Sequence, residues 1–327
     1  LFHHVGRHLF FRFLLYPQFQ SRELLAVLFH ERLKRHRDRL GTDVEHVSRP
    51  GDGNIDQDDI PDIAAISYRE GRGILRVLSG DSGMEIWSQT SSQVNIQPQS
   101  GLAAGDIDND GIAEIVAITA DDKVVVFEHD GQLKWTSDSV AEGISGQYDN
   151  PGIANLDGSG RPEIIVGSVI LDADGAILGI GGEGWGGTQG GGSASFAADL
   201  DGDGNQEIVV GNAIYDINGD TVLLSDNSSD GYPAIADLEE DGEPEIIVSA
   251  NGRIWVWNPF TGSEKWAVEV SGASHSGAPT LDDFDGDGKP DIPTSDLIEQ
   301  TQAEINRLGV ANNWGIMNDK NGKCDSD

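Results

Sequence analysis

Asp199, Asp201 and Asp203 alternate along the stretch DLDGDGNQEIVVG, which continues through Gly204 and Glu207 into the apolar run Ile208, Val209, Val210. Alternate carboxylates on a tight turn can converge on one point. A hard cation such as Ca²⁺ takes about six to eight oxygens, and side chains at positions 1, 3 and 5 with a backbone carbonyl at 7 supply most of them. Gly204 lets the chain turn where a side chain would clash. Glu207, at position 9, closes the site and leads into a strand. A single copy is equally an ordinary turn, because Asp, Asn and Gly are the usual turn formers.

The stretch is not single. With substitutions it recurs as NIDQDDIPDI from Asn54, DIDNDGIAEI from Asp106, NLDGSGRPEI from Asn155, DLEEDGEPEI from Asp237 and DFDGDGKPDI from Asp283. Successive starts lie 52, 49, 44, 38 and 46 residues apart. Six copies at that period mark a repeat architecture of the solenoid or propeller kind. An EF-hand is excluded, since Ala117 and Val210 stand where its loop needs Glu and the flanks are not helical.

The elements that must position these turns follow the same rhythm. A small-residue segment precedes each (GLAAGD, NPGIAN, ASFAAD, YPAIAD), and a short Ile/Val run follows (EIVAIT from Glu114, EIIVGS from Glu163, EIVVGN from Glu207, EIIVSA from Glu245). Such runs, bounded by turn residues, read as buried strands. A hairpin comes next, with DSG, DG, DG, NG and TG at its tips. Four strands per repeat are the blades of a β-propeller. The fold class expected is all-β, a propeller of about six four-stranded blades, or seven if the chain is a fragment. Trp87, Trp135 and Trp266 recur just beyond the hairpin turns and are expected to wedge between neighbouring sheets.

This pattern resembles the FG-GAP/VCBS repeat propellers, which build the head of integrin alpha chains and parts of many bacterial surface proteins. The resemblance covers roughly residues 45–295 and is carried most fully by SGAPTLDDFDGDGKPDI. It implies several bound Ca²⁺ ions, up to one per repeat. The ligands implied are Asp199, Asp201, Asp203 and Glu207; Asp106, Asp108, Asp110 and Glu114; and Asp283, Asp285, Asp287 and Asp291. Asn54, Asp56, Asp58 and Asp62 follow the pattern with Asp59 in the glycine slot, and Asp237, Glu239, Asp241 and Glu245 carry a longer acid in the middle. Asn155, Asp157, Ser159 and Glu163 make the weakest copy, with only two carboxylates.

Bulk composition narrows the function. The formal charge of −35 over 327 residues argues against nucleic acid and against an anionic membrane surface. Residues 1–49 hold nine Lys/Arg against five Asp/Glu, so the acidity lies in the repeats, where bound cations would relieve the self-repulsion. Cys324 is the only cysteine, so no intramolecular disulfide or Cys-based zinc site exists. No apolar run is long enough to span a bilayer. Residues 1–44 read as a basic non-repeat segment, helical or disordered, with six of the eight His nearby. Residues 45–295 read as the propeller. Residues 296–327 read as an irregular or helical tail, or as the completion of the last blade.

The rim opposite the acidic turns is made by the connections between blades. Tyr148, Trp185, Tyr232 and His275 fall there at blade-like spacing, and Tyr68 joins them with Arg69 and Arg72. Aromatic rings on loops around a channel mouth suit a sugar or a protein partner. GIGGEG from Gly179 fits GxGxxG in form, but no helix follows it, so no dinucleotide site is expected. The expected protein is a secreted or cell-surface, calcium-stabilised, non-enzymatic module for adhesion or recognition of a glycan or protein. The alternatives are a polysaccharide lyase, with a base drawn from Arg69, Arg72, Arg253 or His275, and an architectural unit of a larger surface assembly.

Overall fold

A computed structural model describes residues 54–292 apart from 59, 70–71, 92–93, 189, 271–275, 284–288 and 291. The segments 1–44 and 296–327 lie outside the described residues, as do Asp285, Asp287, Asp291 and His275.

The Ile/Val runs and their hairpins fold as expected, and among the described residues every regular element is a strand. The first repeat gives β1 (Ile63–Arg69), β2 (Arg72–Leu78) and β3 (Glu85–Ser88). The second gives β4 (Ala103–Gly105), β5 (Glu114–Ile118), β6 (Lys123–Phe127) and β7 (Leu133–Ser139). The third gives β8 (Pro151–Ala154), β9 (Glu163–Val166), β10 (Val169–Leu171) and β11 (Ile177–Ile180). A two-stranded ribbon, β12 (Gly187–Thr188) with β13 (Gly192–Ser193), precedes the fourth repeat. That repeat is β14 (Phe196–Ala198), β15 (Glu207–Val209), β16 (Ala213–Tyr215) and β17 (Thr221–Leu224). The fifth is β18 (Tyr232–Ala236), β19 (Glu245–Ala250), β20 (Arg253–Trp257) and β21 (Glu264–Glu269).

Each of the first five repeats is an antiparallel meander in sequence order, four-stranded except for the first, which has three strands among the described residues. Of the sixth repeat, Leu281 and Ile292 are described, and both pack against Ile247, Ile254 and Val256 of the fifth.

The core lies between successive sheets, and strand alternation divides it. Ile115, Ala117, Val125 and Phe127 face Leu75 and Val77 of the first sheet. Their neighbours Val116, Ile118, Val124 and Val126 face Ile164, Val166, Val169 and Leu171 of the third. Ile165 and Ile170 meet Ile208 and Tyr215, and Val209 and Ile214 meet Ile246, Val248, Trp255 and Trp257. A strand such as β5 is therefore buried along its whole length, as its unbroken apolar run requires. Leading strands are small because they crowd one another: a Cβ on Gly105 would lie 3.1 Å from Ile153 Cδ1.

Trp87 and Trp135 wedge between sheets as expected. Trp87 Nε1 donates to the carbonyl of His129 (2.7 Å) and Trp135 Nε1 to that of Ala173 (2.9 Å), each in the hairpin of the next blade. The tip glycine beneath each ring leaves no room for a side chain, since a Cβ on Gly175 would sit 2.6 Å from Trp135 Cε3. Trp266, in the fifth blade, remains 42% exposed.

One regularity was not anticipated. All five blade sheets carry a β-bulge at the same register, where the last two strands pair beside the hairpin turn. Val126 pairs with Trp135 and Phe127 with Leu133, which leaves Lys134 unpaired on the bulged strand. The matching residues are Ile86, Leu178, Val222 and Lys265. A bulge re-aims the side chain of the extra residue.

Candidate metal-binding corners

In an antiparallel meander the turn from first to second strand and the hairpin from third to fourth share one end of the blade. The acidic corners occupy that end and touch their neighbours. Asn109 Nδ2 donates to the carbonyl of Gly160 (3.0 Å), and the Gln206 amide to that of Leu156 (2.7 Å), so the second, third and fourth corners stand side by side.

Within each corner, side-chain oxygens fold back on the loop's own amides. Asp106 accepts from the amides of Asp110 and Gly111, both at 3.0 Å, and Asp110 accepts from that of Ile112 (2.8 Å). Asp199 accepts from Gly202 (2.7 Å) and Gly204 (3.1 Å), and Asp237 from Asp241 (3.1 Å) and Gly242 (2.8 Å). With Asp108 also accepting from the Asp110 amide (3.1 Å), these bonds fix the carboxylates at positions 1, 3 and 5 while leaving lone pairs free. The glycine at position 6 has positive φ, as at Gly111 (+92°) and Gly204 (+95°). Position 4 is left-handed too, through Gln57, Asn109, Gly158, Gly202 and Glu240, which the sequence pattern did not reveal.

The acid at position 9 anchors each of the first five corners. One carboxylate oxygen accepts from the amide seven residues back: Asp62 from Ile55 (2.7 Å), Glu114 from Ile107 (2.9 Å), Glu163 from Leu156 (2.8 Å), Glu207 from Leu200 (3.0 Å) and Glu245 from Leu238 (2.9 Å). The other oxygen differs between corners: that of Asp62 accepts from the Gly80 amide (3.1 Å), that of Glu245 takes Lys265, and that of Glu114 has no partner among protein atoms. Burial raises the pKa of Glu163 and Glu207, and pushes Glu114 up to about 7 against the opposing Ile107 hydrogen bond.

Three corners bring at least three acidic oxygens within 4.8 Å of one another: Asp56, Asp58 and Asp62; Asp106, Asp108 and Glu114; Asp199, Asp201 and Asp203. The second is the most constrained. Glu114 is 0% exposed, and its Oε1 has no hydrogen-bond partner among protein atoms. A buried carboxylate oxygen without a partner is costly, and an all-oxygen donor set of this kind suits a hard cation. At the same corner Lys134 Nζ reaches Asp108 Oδ2 (2.6 Å) and Glu128 Oε1 (2.7 Å), which lowers the pKa of Asp108. In the third corner Arg161 pairs with Asp174 at the hairpin tip of the same blade. In the fifth, Lys265 Nζ lies 2.5 Å from Glu245 Oε1 and 3.0 Å from Glu239 Oε2. Of the sixth corner, Asp283 alone is described among its expected ligands.

At the opposite end, Tyr68 is 59% exposed, but it sits in β1 opposite Gly73 rather than on a connection between blades. Tyr148 is 44% exposed with φ +61°. Trp185 is half-buried, and Tyr232 is buried with its hydroxyl donating to the Gly191 carbonyl, so that ring belongs to loop packing. Two acids that sequence reasoning missed hold these loops, Asp149 buried and Asp230 half-buried. Asp230 Oδ2 accepts from the amides of Trp185 (2.8 Å) and Gly186 (3.1 Å), and its Oδ1 from Gly211 (3.0 Å). Asp149 accepts from Ser145 (3.0 Å) and Gly146 (2.9 Å). Burial raises the pKa of both acids against these donors. Their place, six or seven residues before the next acidic corner, was the available signal.

Comparison with known proteins agrees with this geometry. The profile of the FG-GAP-like repeat matches residues 54–117, 106–166 and 237–292, together more than half of the chain. No curated protein sequence matches. Among solved structures, the V. cholerae biofilm matrix protein Bap1 is similar over 74% of this chain and 40% of its own, with 22% identity and a TM-score of 0.58. The Bacillus licheniformis rhamnogalacturonan lyase is similar over 76% of this chain and 54% of its own, with 19% identity and a TM-score of 0.56. The chain thus spans about half the length of the structures it resembles, and at this identity the likeness is one of fold. With its repeats matched in sequence and its blades matched in space, the chain belongs to the FG-GAP-like repeat proteins.

Proposed function

We propose that this chain is a calcium-stabilised propeller, secreted or displayed on a cell surface, that recognises a carbohydrate partner through the rim opposite its acidic corners. The unpartnered, fully buried Oε1 of Glu114, whose carboxylate has an oxygen within 4.8 Å of one from Asp106 and one from Asp108, carries the calcium part of this reading. Asp56, Asp58 and Asp62 would hold a second ion, and Asp199, Asp201 and Asp203, with Glu207 behind them, a third. Calcium would supply positive charge where the chain concentrates negative charge. The residues themselves do the positioning: the position-9 acid ties the corner to the second strand, and the position-1 acid ties the loop to itself.

Recognition of a carbohydrate is supported by the exposed rings of Tyr68 and Tyr148 on the far rim. It is supported also by the names of the structural neighbours, a biofilm matrix protein and a polysaccharide lyase. Lyase chemistry is disfavoured at Arg253, because its guanidinium is engaged with Glu264 (3.2 Å) and stacked over Trp255 at 5.5 Å. A glycan array probed with and without calcium, alongside calorimetric counting of bound ions, tests the proposal. A set of glycans bound only with calcium, and about three ions per chain, is the expected result. An empty array together with no bound ion would overturn it.

A further inference from the structure

The bulge position of each blade points toward that blade's acidic corner in the two cases where its occupant is charged. Lys134 and Lys265 are those occupants, while Ile86, Leu178 and Val222 stand at the same register in the other three described blades. The two lysines do different work. Lys134 bridges Asp108 to Glu128 and leaves the anchor Glu114 Oε1 without a partner. Lys265 instead lies on the anchor itself, 2.5 Å from Glu245 Oε1, and takes Glu239 Oε2 at 3.0 Å. Glu245 is 99% removed from solvent, with a side-chain exposure of 1%, and its second oxygen accepts from the Leu238 amide. Both of its oxygens are therefore satisfied by protein groups.

We propose that Lys265 is the resident cation of the fifth corner, so that the loop from Asp237 to Glu245 is held closed by an ammonium group in place of a metal ion. The longer acid in the middle of this copy fits the assignment. Glu239 stands where the first, second and fourth corners carry Asp56, Asp108 and Asp201, and its extra methylene reaches out to the lysine. The fifth corner is also absent from the clusters in which three acidic oxygens converge within 4.8 Å. A Lys⁺ held in the covalent structure has no dissociation constant, and this corner stays formed when calcium is scarce and its neighbours loosen. The fold thereby has corners of two kinds, one that responds to calcium and one that does not.

The inference rests on the calcium reading for the other corners, and its test separates the two. Lys265→Met keeps the apolar stem and removes the charge; Lys265→Arg keeps the charge. Bound calcium is counted calorimetrically and melting is followed in chelator and in millimolar calcium. Lys265→Met should melt several degrees below wild type in chelator, recover most of that loss in calcium, and bind one ion more than wild type. Lys265→Arg should match wild type in both. A Lys265→Met protein that gains no ion, or whose loss calcium does not reverse, overturns the assignment. Wild type binding no calcium at all fails the calcium reading alone. The lysine assignment is then decided by melting in chelator, where it requires Lys265→Met to fall below Lys265→Arg and is overturned if the two coincide.

Discussion

Glu114 concentrates the chemistry of the corners in one side chain. It is buried, bonded through one oxygen to the Ile107 amide, and unpartnered at the other. Its folded pKa of about 7 lies above the ordinary value of 4.5, so the neutral form is favoured in the folded chain. The stability this contributes is fully present below pH 4.5 and is lost as pH rises through about 7. Without calcium, the melting temperature of wild type relative to Glu114→Gln should therefore decline across that window. With calcium bound the carboxylate is wanted in its charged form, and the decline should vanish. Calorimetry should also show Glu114→Gln weakening one site by about tenfold or more while the other sites are unchanged, because ligand charge count tunes affinity. The position and type of this residue were legible from the repeat. Its orphaned oxygen was not, because the fate of a buried lone pair depends on side chains distant in sequence, as the contrast with Lys265 and Glu245 shows.

At the level of elements, the acidic turn and the hairpin tip depend on backbone conformations that few side chains accept. Gly204 has φ +95° and nothing within 4 Å of where a Cβ would stand. Gly204→Ala should thus cost about 1–2 kcal/mol through backbone strain alone, measured by denaturant unfolding, with the neighbouring packing undisturbed. Gly175 combines φ +85° with a ring pressed against it. Trp135→Ala should destabilise by roughly 3 kcal/mol by opening the seam between the second and third blades, and fluorescence-monitored unfolding would show it. The position-6 glycine was readable because one residue type fills it in most copies. Position 4 was not, since Gln57, Asn109 and Glu240 adopt the same left-handed conformation as Gly158 and Gly202. The bulge was likewise hidden, because register is a property of paired strands and Ile86, Lys134, Leu178, Val222 and Lys265 share no chemistry.

For the repeats taken together, the period of the acidic turns announced the blades, and the unbroken apolar runs announced strands buried on both faces. The small leading strands could be read as such, whereas the reason for their size, the approach of Gly105 to Ile153 in the next blade, needed coordinates. Among the ring residues expected on the far rim, Tyr148 stays exposed and Tyr232 is absorbed by the Gly191 loop, a distinction set by packing rather than spacing. The strongly negative balance of the repeats is the feature with the widest consequence. Corners two, three and four stand shoulder to shoulder, so their charges repel unless cations intervene. An ion at about a hundred times its dissociation constant contributes about 2.7 kcal/mol, and several act on the same face. The central claim is tested most directly by melting the wild-type chain at neutral pH in millimolar calcium and again in excess chelator. Calcium-clasped corners predict a fall of about ten degrees or more in chelator, restored when calcium is returned. Melting curves that superimpose in the two buffers would contradict it.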